Sequence, residues 1–243
     1  MKKKTAIITG ASGGIGSAVA KKLAGEGYAL SLWGNQSQDK LSRLEKECGQ
    51  YKNPVLTLAG DICDSEIVEK QIEKSLSFLE HVDVLIHCAG ISHLGLLSDM
   101  SDKQWHQILD TNLSSAFYCC RSIIPHMVHK KEGKIIFISS VWGTEGASCE
   151  AAYSATKGGI NSLTKALAKE LAPSGIAVNA LACGMIDTPM NSSFSKGEIQ
   201  AICDEIPAGR MGTPEEVAEA VSLLTGMPSY LTGQIIKMDG GWQ

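Results

Sequence analysis

The stretch TGASGGIG at residues 9–16 places four glycines in eight positions, directly after the apolar run Ala6-Ile7-Ile8. Glycine loses more backbone freedom on folding than any other residue, so a glycine cluster behind a buried strand indicates a steric requirement. A strand-to-helix turn with free N–H groups at a helix N-terminus attracts phosphate. Gly10, Gly14 and Gly16 have the spacing G-x-x-x-G-x-G. The stretch therefore predicts a turn that lets a dinucleotide approach the backbone closely.

Short β-rich runs alternate with longer segments that carry apolar residues at helical spacing. The predicted strands are Thr5–Thr9, Ala29–Trp33, Val55–Leu58, Val82–His87, Lys134–Ser139, Ala177–Leu181 and Gln234–Met238, and the predicted helices span 15–25, 39–48, 64–80, 101–130, 152–172 and 214–225. This alternation predicts an α/β fold with a Rossmann-type doubly wound parallel sheet of about seven strands and helices on both faces. No proline-rich linker, charge block or repeat interrupts the pattern, so we expect one domain over residues 1–243.

The composition excludes several classes of protein. With 44% hydrophobic and 20% charged residues, the 243-residue chain is typical of a globular protein with a substantial core. Its net charge of −4 argues against nucleic-acid binding. No apolar run approaches the roughly 20 residues that span a bilayer, and the basic residues 1–4 lead into a strand rather than an export signal. The eight cysteines form no C-x-x-C pair, so we expect reduced thiols, no metal site and a cytoplasmic protein.

A second set of chemically active residues lies in the carboxyl half of the chain. Tyr153 and Lys157 stand four positions apart at the start of a predicted helix, so one helix face carries both. A nearby ammonium group favours the phenolate form of a tyrosine, whose free pKa is about 10. Ser140 lies at the end of a predicted strand, where its hydroxyl points into the crevice at the carboxyl edge of the sheet. Tyrosine as proton donor, serine as carbonyl anchor and lysine as electrostatic tuner form a site for carbonyl reduction.

Together these motifs resemble the classical short-chain dehydrogenase/reductase family over essentially the whole chain. The matching stretches are TGASGGIG, Asp61-Ile62, CAG at 88–90, Asn112 in DTNLSSAF, Ser140, YSATK at 153–157, CGMIDTPM at 183–190 and LTGQIIKMDGGW at 231–242. Within the family the chain is most similar to the 3-oxoacyl-acyl-carrier-protein reductases, also through IPAGRMGTPEEVA at 206–218.

The resemblance implies a role for each matching residue. The implied catalytic set is Asn112, Ser140, Tyr153 and Lys157, with Asn112 in a water-mediated relay to Lys157. The implied cofactor-binding residues are Gly10, Ser12, Gly13, Gly14, Ile15, Gly16, Asn35, Asp61, Ile62, Ala89, Gly90, Tyr153, Lys157, Gly184, Ile186 and Thr188. By the same resemblance, Asp61 and Ile62 flank the adenine, Ala89 and Gly90 line the ribose, and Ile186 and Thr188 meet the carboxamide. Lys157 also holds the nicotinamide ribose.

Three positions depart from the family pattern. Cys88 stands where the family usually has the Asn of its NAG motif, which predicts the loss of a polar contact that stabilises the sheet. Cys183 stands where the family usually has Pro before Gly184, which returns an N–H and a freer φ to the loop. Gly13 stands where many NADP-dependent reductases carry Arg.

The end of the second strand favours NADP(H) over NAD(H). An NAD enzyme usually places a carboxylate there, which would repel a 2′-phosphate. Residues 32–37 read LWGNQS, with no acid before Asp39. Ser12, Asn35 and Ser37 can donate hydrogen bonds to the phosphate, and Lys40 or Arg43 can supply charge. A pocket that accepts both cofactors remains the alternative.

Two carbonyl substrates remain open. The first is a 3-oxoacyl thioester on acyl carrier protein, an acidic partner that needs basic residues near the site. His126, His129, Lys130, Lys131 and Lys134 form the candidate patch, although Ser174 stands where carrier-dependent reductases tend to have a second Arg.

The second substrate bears an amine. The loop 142–150 precedes Tyr153, and its carboxylates Glu145 and Glu150 suit a cationic group. This stretch resembles the bacterial reductases that convert a 5-aminopentanone group on elongation factor P to the alcohol. Two solvated surface acids are the plain interpretation. The candidate substrate residues are Trp142, Glu145 and Glu150.

Two other functions occur on this fold. One is a non-catalytic NADP-sensing binding protein. The other is an epimerase or dehydratase of the extended class, but the chain leaves little length for the larger substrate domain of that class.

Residues 101–130 and 152–172 carry apolar groups on several faces, including Ile108, Phe117, Ile123 and Ile124 in the first. Such helices need cover from the core or from another subunit. The resemblance implies a homotetramer built on these two helices and the C-terminal strand.

Overall fold

A seven-stranded parallel sheet forms the centre of the computed structural model, which describes residues 3–35 and 38–243. The order across the sheet is β3-β2-β1-β4-β5-β6-β7, and every neighbouring pair is parallel. The strands are β1 (Thr5–Thr9), β2 (Ala29–Gly34), β3 (Val55–Ala59), β4 (Val84–His87), β5 (Gly133–Ser140), β6 (Ile176–Cys183) and β7 (Ile235–Met238). The predicted fold class is confirmed.

Helices connect the strands and cover both faces of the sheet. They are α1 (Gly14–Gly25), α2 (Gln38–Gly49), α3 (Ser65–Leu79), α4 (Asp102–Leu109), α5 (Ser115–Lys130), α6 (Ala151–Leu171), α7 (Lys196–Glu205) and α8 (Pro214–Gly226). Successive strand residues point to opposite faces, so Ile8 packs in the core layer of α1, α2 and α8, whereas Ile7 packs in that of α3, α5 and α6. Both strand faces are therefore buried, as the apolar strand sequences predict.

The strand order reverses between β1 and β4. From β1 the chain winds outward to β2 and β3, and then returns to place β4 on the other side of β1. Ligands of doubly wound sheets bind in the crevice that opens at such a reversal, outside the carboxyl ends of the strands. The glycine turn follows β1 directly, so it lies at this crevice.

The structure differs from the predicted elements in two places. The predicted helix over 101–130 is divided into α4 and α5 by a π-helical turn at Asp110–Ser114. The spacing of apolar residues continues through a π-helical turn, so that spacing does not show where the helix changes from α to π. Helix α7 was not predicted, although Ser195 and Glu198 form a capping box at its start. The other element boundaries agree within two residues.

The apolar faces of the predicted helices are largely covered by the protein's own core. Ile108 and Ile123 are buried and Ile124 packs against the core, whereas Phe117 stays about half exposed.

In the described part of the chain, no helix is both long and apolar enough to cross a membrane. All eight cysteines are free thiols.

Candidate active site

The glycine turn is packed so tightly that side chains do not fit. Gly10 has a φ of +63°, and a Cβ there would lie 2.7 Å from the backbone nitrogen of Ala89. A Cβ on Gly16 would lie 2.3 Å from the backbone oxygen of Gly10. Gly13 forms the N-cap of α1 without a side-chain hydrogen bond, so no cap competes for the first N–H groups of the helix. The turn therefore offers a phosphate the open N-terminus of a 12-residue helix.

A cleft of about 610 Å³ opens at this turn. Its lining includes most of the predicted cofactor residues, namely Gly10, Ser12, Gly13, Gly14, Ile15, Gly16, Asn35, Asp61, Ile62, Ala89, Gly90 and Thr188. The remaining predicted cofactor residues, Tyr153, Lys157, Gly184 and Ile186, do not line it. Ile186 is buried and forms a β-bridge to Gly212, and Gly184 donates its N–H to the backbone oxygen of Met238.

Several lining residues were not predicted, among them Trp33, Cys63, Gln71, Cys88, Gln107, Thr111 and Met190. Trp33 and Cys88 lie at or directly after the carboxyl ends of predicted strands, where the crevice of a parallel sheet opens. Their position in the sequence is therefore enough to predict that they line the cleft. Gln71, Gln107 and Thr111 belong to helical segments whose orientation toward the cleft depends on tertiary packing.

Charge in the cleft is sparse. Among the described residues that line it, Lys40 is the one basic residue and Asp61 the one acidic residue. Arg43 is not part of the lining, and Ser37 lies outside the described residues. Asp61 accepts a hydrogen bond from the backbone N–H of Cys63 at 3.0 Å.

The Ser140 hydroxyl lies close enough to the Tyr153 hydroxyl to act on its pKa as a hydrogen-bond donor. Strand β5 ends at Ser140, and Tyr153 lies in the first turn of α6. The backbone N–H of Trp142 donates to Ser140 Oγ at 3.2 Å and helps to fix the serine. Burial raises the pKa of Tyr153, whereas the hydrogen bond from Ser140 opposes that rise. The expected shift of the Tyr153 pKa toward phenolate is therefore wrong for this structure, because burial is the largest effect on that pKa.

Lys157 lies one helical turn after Tyr153, with its ammonium nitrogen 5.5 Å from the centre of the tyrosine ring. The side chain is buried, and Nζ donates to the backbone oxygen of Ile138 at 2.8 Å. Burial lowers the pKa of Lys157 to about 8. The lysine is thus held between a strand and the tyrosine, as the i,i+4 spacing predicts.

Asn112 lies in the π-helical turn and is almost fully buried. Its Oδ1 accepts from the Ile91 N–H at 2.8 Å, and its Nδ2 donates to the Ile91 oxygen at 2.9 Å and to Thr156 Oγ1 at 3.1 Å. Asn112 Oδ1 and Lys157 Nζ lie 3.4 and 3.6 Å from the position of a Cβ on Gly90. Asn112 and Lys157 therefore meet behind the cleft wall at Gly90, although none of the four predicted catalytic residues lines the cleft itself, and the water-mediated relay stays a prediction.

Comparison with known proteins gives the same family. The family model of the short chain dehydrogenases matches residues 4–199. The chain is a short-chain dehydrogenase. This oxidoreductase is 40% identical over 241 residues to YmfI, an uncharacterized oxidoreductase of Bacillus subtilis, with 98% of each chain covered. It is 36% identical to the 3-oxoacyl-acyl-carrier-protein reductase FabG of Chlamydia muridarum, over 98% of this chain and 96% of that one.

A solved structure supports the same assignment. The dehydrogenase superimposes on a variant of actinorhodin polyketide ketoreductase crystallised with NADPH, with a TM-score of 0.94. The two chains are 30% identical, and the match covers 99% of this chain and 97% of that one.

The loop 142–150 of the dehydrogenase is held by the C-terminal segment. Lys237 Nζ lies 2.9 Å from Glu145 Oε1, and the Trp142 ring meets the Trp242 ring edge-on at 4.9 Å. Glu150 accepts a hydrogen bond from Trp142, is partly buried and acts electrostatically on Tyr153. Of the two predicted carboxylates, Glu145 is therefore already paired, and Glu150 is the one beside the phenol. Lys237 and Trp242 were not predicted, because the contact joins residues about 90 positions apart.

The predicted basic patch lies at the wrong edge of the sheet. Lys134 is the second residue of β5 and Ser140 the last, so the two residues are separated by most of the strand's length, roughly 20 Å. Lys130 pairs with Asp83, and Lys134 donates to the backbone oxygens of Thr225 and Met227. The expectation that these lysines stand at the site mouth is wrong.

The residues that depart from the family pattern lie close to the site. Cys183 is the last residue of β6, paired with Ser140, so the strand extends to the position where the family usually has Pro. Cys88 follows β4 and donates its N–H to the Thr9 oxygen at 3.3 Å. Burial raises the pKa of both thiols to about 12, which makes them uncharged neighbours of Lys157.

Proposed function

We propose that this short-chain dehydrogenase is an NADPH-dependent carbonyl reductase that acts on a 3-oxoacyl group carried by acyl carrier protein. The observation that carries the proposal is the convergence of Asn112, Ser140, Tyr153 and Lys157 beside the cleft behind the glycine turn. A protein that only senses NADP needs the cleft but not these reactive groups. The related reductase of Chlamydia muridarum supports the 3-oxoacyl assignment.

The cleft fits a dinucleotide. The uncapped N-terminus of α1 would hold the pyrophosphate through Gly14, Ile15 and Gly16, and the absence of a side chain at Gly10 lets the turn pack closely on Ala89. Asp61 and Ile62 take the adenine, and Gly90 lies where Lys157 reaches the ribose. Gly184, Ile186 and Thr188 form the loop at the carboxamide end. When bound, the nicotinamide supplies the hydride that reduces the carbonyl carbon.

The chain's own groups handle the oxygen and the proton. Ser140 Oγ holds the carbonyl oxygen, and the Tyr153 hydroxyl transfers its proton to that oxygen as the alcohol forms. A phenol whose pKa is raised by burial is protonated at neutral pH, which suits a proton donor. The Lys157 ammonium then stabilises the phenolate that remains.

NADP(H) is preferred over NAD(H) in this proposal. Lys40 lines the cleft together with Asn35 and Ser12, where the ribose 2′-phosphate would lie, and the one acidic residue among the described lining residues, Asp61, follows β3 rather than β2. A cation there attracts the phosphate, whereas NAD enzymes place a carboxylate at this position. The related ketoreductase crystallised with NADPH supports the same preference.

A second substrate is favoured by one observation. Glu150 is a partly buried carboxylate beside Tyr153, and the basic patch expected to dock acyl carrier protein lies at the opposite edge of the sheet. An amine-bearing ketone, such as the 5-aminopentanone group on elongation factor P, would place its cation near Glu150. This reductase activity is the alternative candidate.

One assay separates the two candidates. NADPH oxidation is followed with an acetoacetyl thioester and, in parallel, with aminopentanone-modified elongation factor P. Faster turnover of the thioester supports the first candidate, and turnover of the modified factor alone replaces it by the second. If neither substrate supports NADPH oxidation, both candidate functions are contradicted.

We also propose that residues 1–243 form one domain of a cytoplasmic homotetramer. The exposed side chains of Phe117 and Val128 on α5, and of Leu223 and Tyr230 near the C-terminus, are apolar groups left for subunit contacts. Eight free thiols suit a reducing compartment. Light scattering should give about 103 kDa, four chains of 25.8 kDa, and a monomer would contradict the assembly.

A further inference from the structure

A buried histidine joins three parts of the cleft wall. His87 is the last residue of β4, and its ring is 2% exposed. Nδ1 lies 3.0 Å from Thr9 Oγ1 at the end of β1, and Nε2 lies 3.2 Å from Ser115 Oγ at the start of α5. Thr9 directly precedes Gly10, and Ser115 directly follows the π-helical turn that contains Asn112. The ring therefore links the glycine turn to that π-helical turn.

The proton positions follow from the partners. Ser115 Oγ is 2.6 Å from the backbone oxygen of Thr111, which only accepts, so the serine proton is used there. Ser115 Oγ must then accept from the ring, which places a proton on His87 Nε2. In a neutral ring Nδ1 is left as an acceptor, and the Thr9 hydroxyl donates to it. Thr9 Oγ1 in turn accepts the Ala89 N–H at 3.3 Å.

We propose that His87 is a positioning residue that, as the neutral Nε2–H tautomer, orients the Thr9 hydroxyl and through it the Ala89–Gly90 wall of the cofactor cleft. The hydrogen bonds then run in one direction on each side of the ring, from Ala89 through Thr9 to Nδ1 and from Nε2 through Ser115 to Thr111. The inference rests on the proposed function in one respect only, that the cleft binds NADPH.

The surroundings keep the ring neutral. Burial lowers the pKa of His87 to about 3, and the Lys157 charge lowers it further. Phe137 packs against the ring edge-on at 6.1 Å, and Thr9 and Ser115 carry no charge. A protonated ring would turn Nδ1 into a second donor and break the bond from Thr9. The acceptor at Nδ1 therefore persists across the neutral range of pH.

Nitrogen NMR of the unliganded wild-type protein tests the tautomer without any substitution. The expected spectrum shows one histidine with the proton on Nε2 whose ring signals do not change between about pH 8 and pH 5, since a free imidazole titrates near 6.5. A proton on Nδ1, or titration of this ring within that range, overturns the proposal. Loss of the signal in His87→Asn assigns it.

Two substitutions separate the contributions of the two hydrogen bonds that the His87 ring makes. In His87→Asn the side-chain oxygen can occupy the place of Nδ1 and accept from Thr9, whereas in His87→Gln the side-chain amide can occupy the place of Nε2 and donate to Ser115. We expect the Kd for NADPH, measured by fluorescence, to stay within about twofold in the Asn variant and to rise about tenfold in the Gln variant, as expected for one lost buried hydrogen bond. His129→Asn, at the exposed end of α5, is the matched control.

The outcomes for the two proposals are distinct. Equal NADPH affinity of the Asn and Gln variants, with both folded by thermal melting, overturns the positioning role. Failure of the wild-type protein to bind NADPH overturns the proposed function, and the NMR tautomer still tests the hydrogen-bond direction.

Discussion

The ammonium nitrogen of Lys157 lies 5.5 Å from the centre of the Tyr153 ring while it donates to the backbone oxygen of Ile138. Strand β5 therefore holds the lysine beside the phenol before any substrate arrives. The same strand ends in Ser140, whose hydroxyl acts on the Tyr153 hydroxyl as a hydrogen-bond donor that lowers its pKa. One strand thus positions both partners of the tyrosine.

Burial of Lys157 predicts a pH dependence of stability. Its pKa is lowered to about 8, below the unfolded value of 10.5, so between these values the unfolded chain binds more protons and stability rises with pH. The contribution is about 1.4 kcal/mol per pH unit in that window. Urea unfolding at several pH values should show a smaller rise for Lys157→Met than for the wild type. The exposed Lys165→Met should behave like the wild type, and equal slopes for all three proteins would contradict the assignment.

The glycine turn predicts a position-specific cost of alanine. At Gly10 a Cβ meets the Ala89 backbone at 2.7 Å and φ is +63°, so Gly10→Ala should lower the free energy of unfolding by at least about 2 kcal/mol. At Gly49 nothing lies within 4 Å of the added Cβ, so Gly49→Ala should be neutral or slightly stabilising. Chemical denaturation measures both. Similar losses at the two positions would show that close approach at the turn is not what requires glycine.

Lys40 is expected to recognise the 2′-phosphate. Lys40→Gln should lower kcat/KM with NADPH about fivefold, because a partly screened ion pair is worth about 1 kcal/mol, and should leave the value with NADH unchanged. Arg43→Gln is the control, since Arg43 does not line the cleft. A wild-type preference for NADH, or an equal effect of both variants, would refute the cofactor assignment.

Glu150 should determine the affinity for cationic ketones. Glu150→Gln is expected to raise the KM of an amine-bearing ketone about fivefold at about pH 8, where carboxyl groups are ionised. Glu145→Gln should change that KM less than about twofold, because Glu145 is exposed and paired with Lys237. If neither substitution changes the KM of any amine-bearing ketone, the loop does not select the charge of the substrate.

The sequence predicts the fold and the cluster of reactive residues well, for physical reasons. Strand and helix periods are local, so the seven strands and seven of the eight helices are visible in the pattern, with α4 and α5 merged as one predicted helix. The Tyr153–Lys157 spacing places both residues on one helix face whatever surrounds them.

Long-range contacts account for what the sequence did not predict. The Glu145–Lys237 pair and the Trp142–Trp242 contact depend on how the C-terminal segment folds back, which no local pattern records. The basic patch is a different case. Lys134 begins a predicted strand and Ser140 directly follows it, so the direction of that strand already assigns them to opposite edges of a parallel sheet.

The central claim is that Tyr153 gives its proton to a carbonyl oxygen in a cleft that binds NADPH. The most direct measurement compares Tyr153→Phe with the wild type in single-turnover NADPH oxidation and in NADPH binding, with the fully exposed Tyr230→Phe as control. We expect kcat to fall by about 10²- to 10⁴-fold in Tyr153→Phe and the Kd for NADPH to change less than about twofold. Near-normal turnover of Tyr153→Phe would contradict the account.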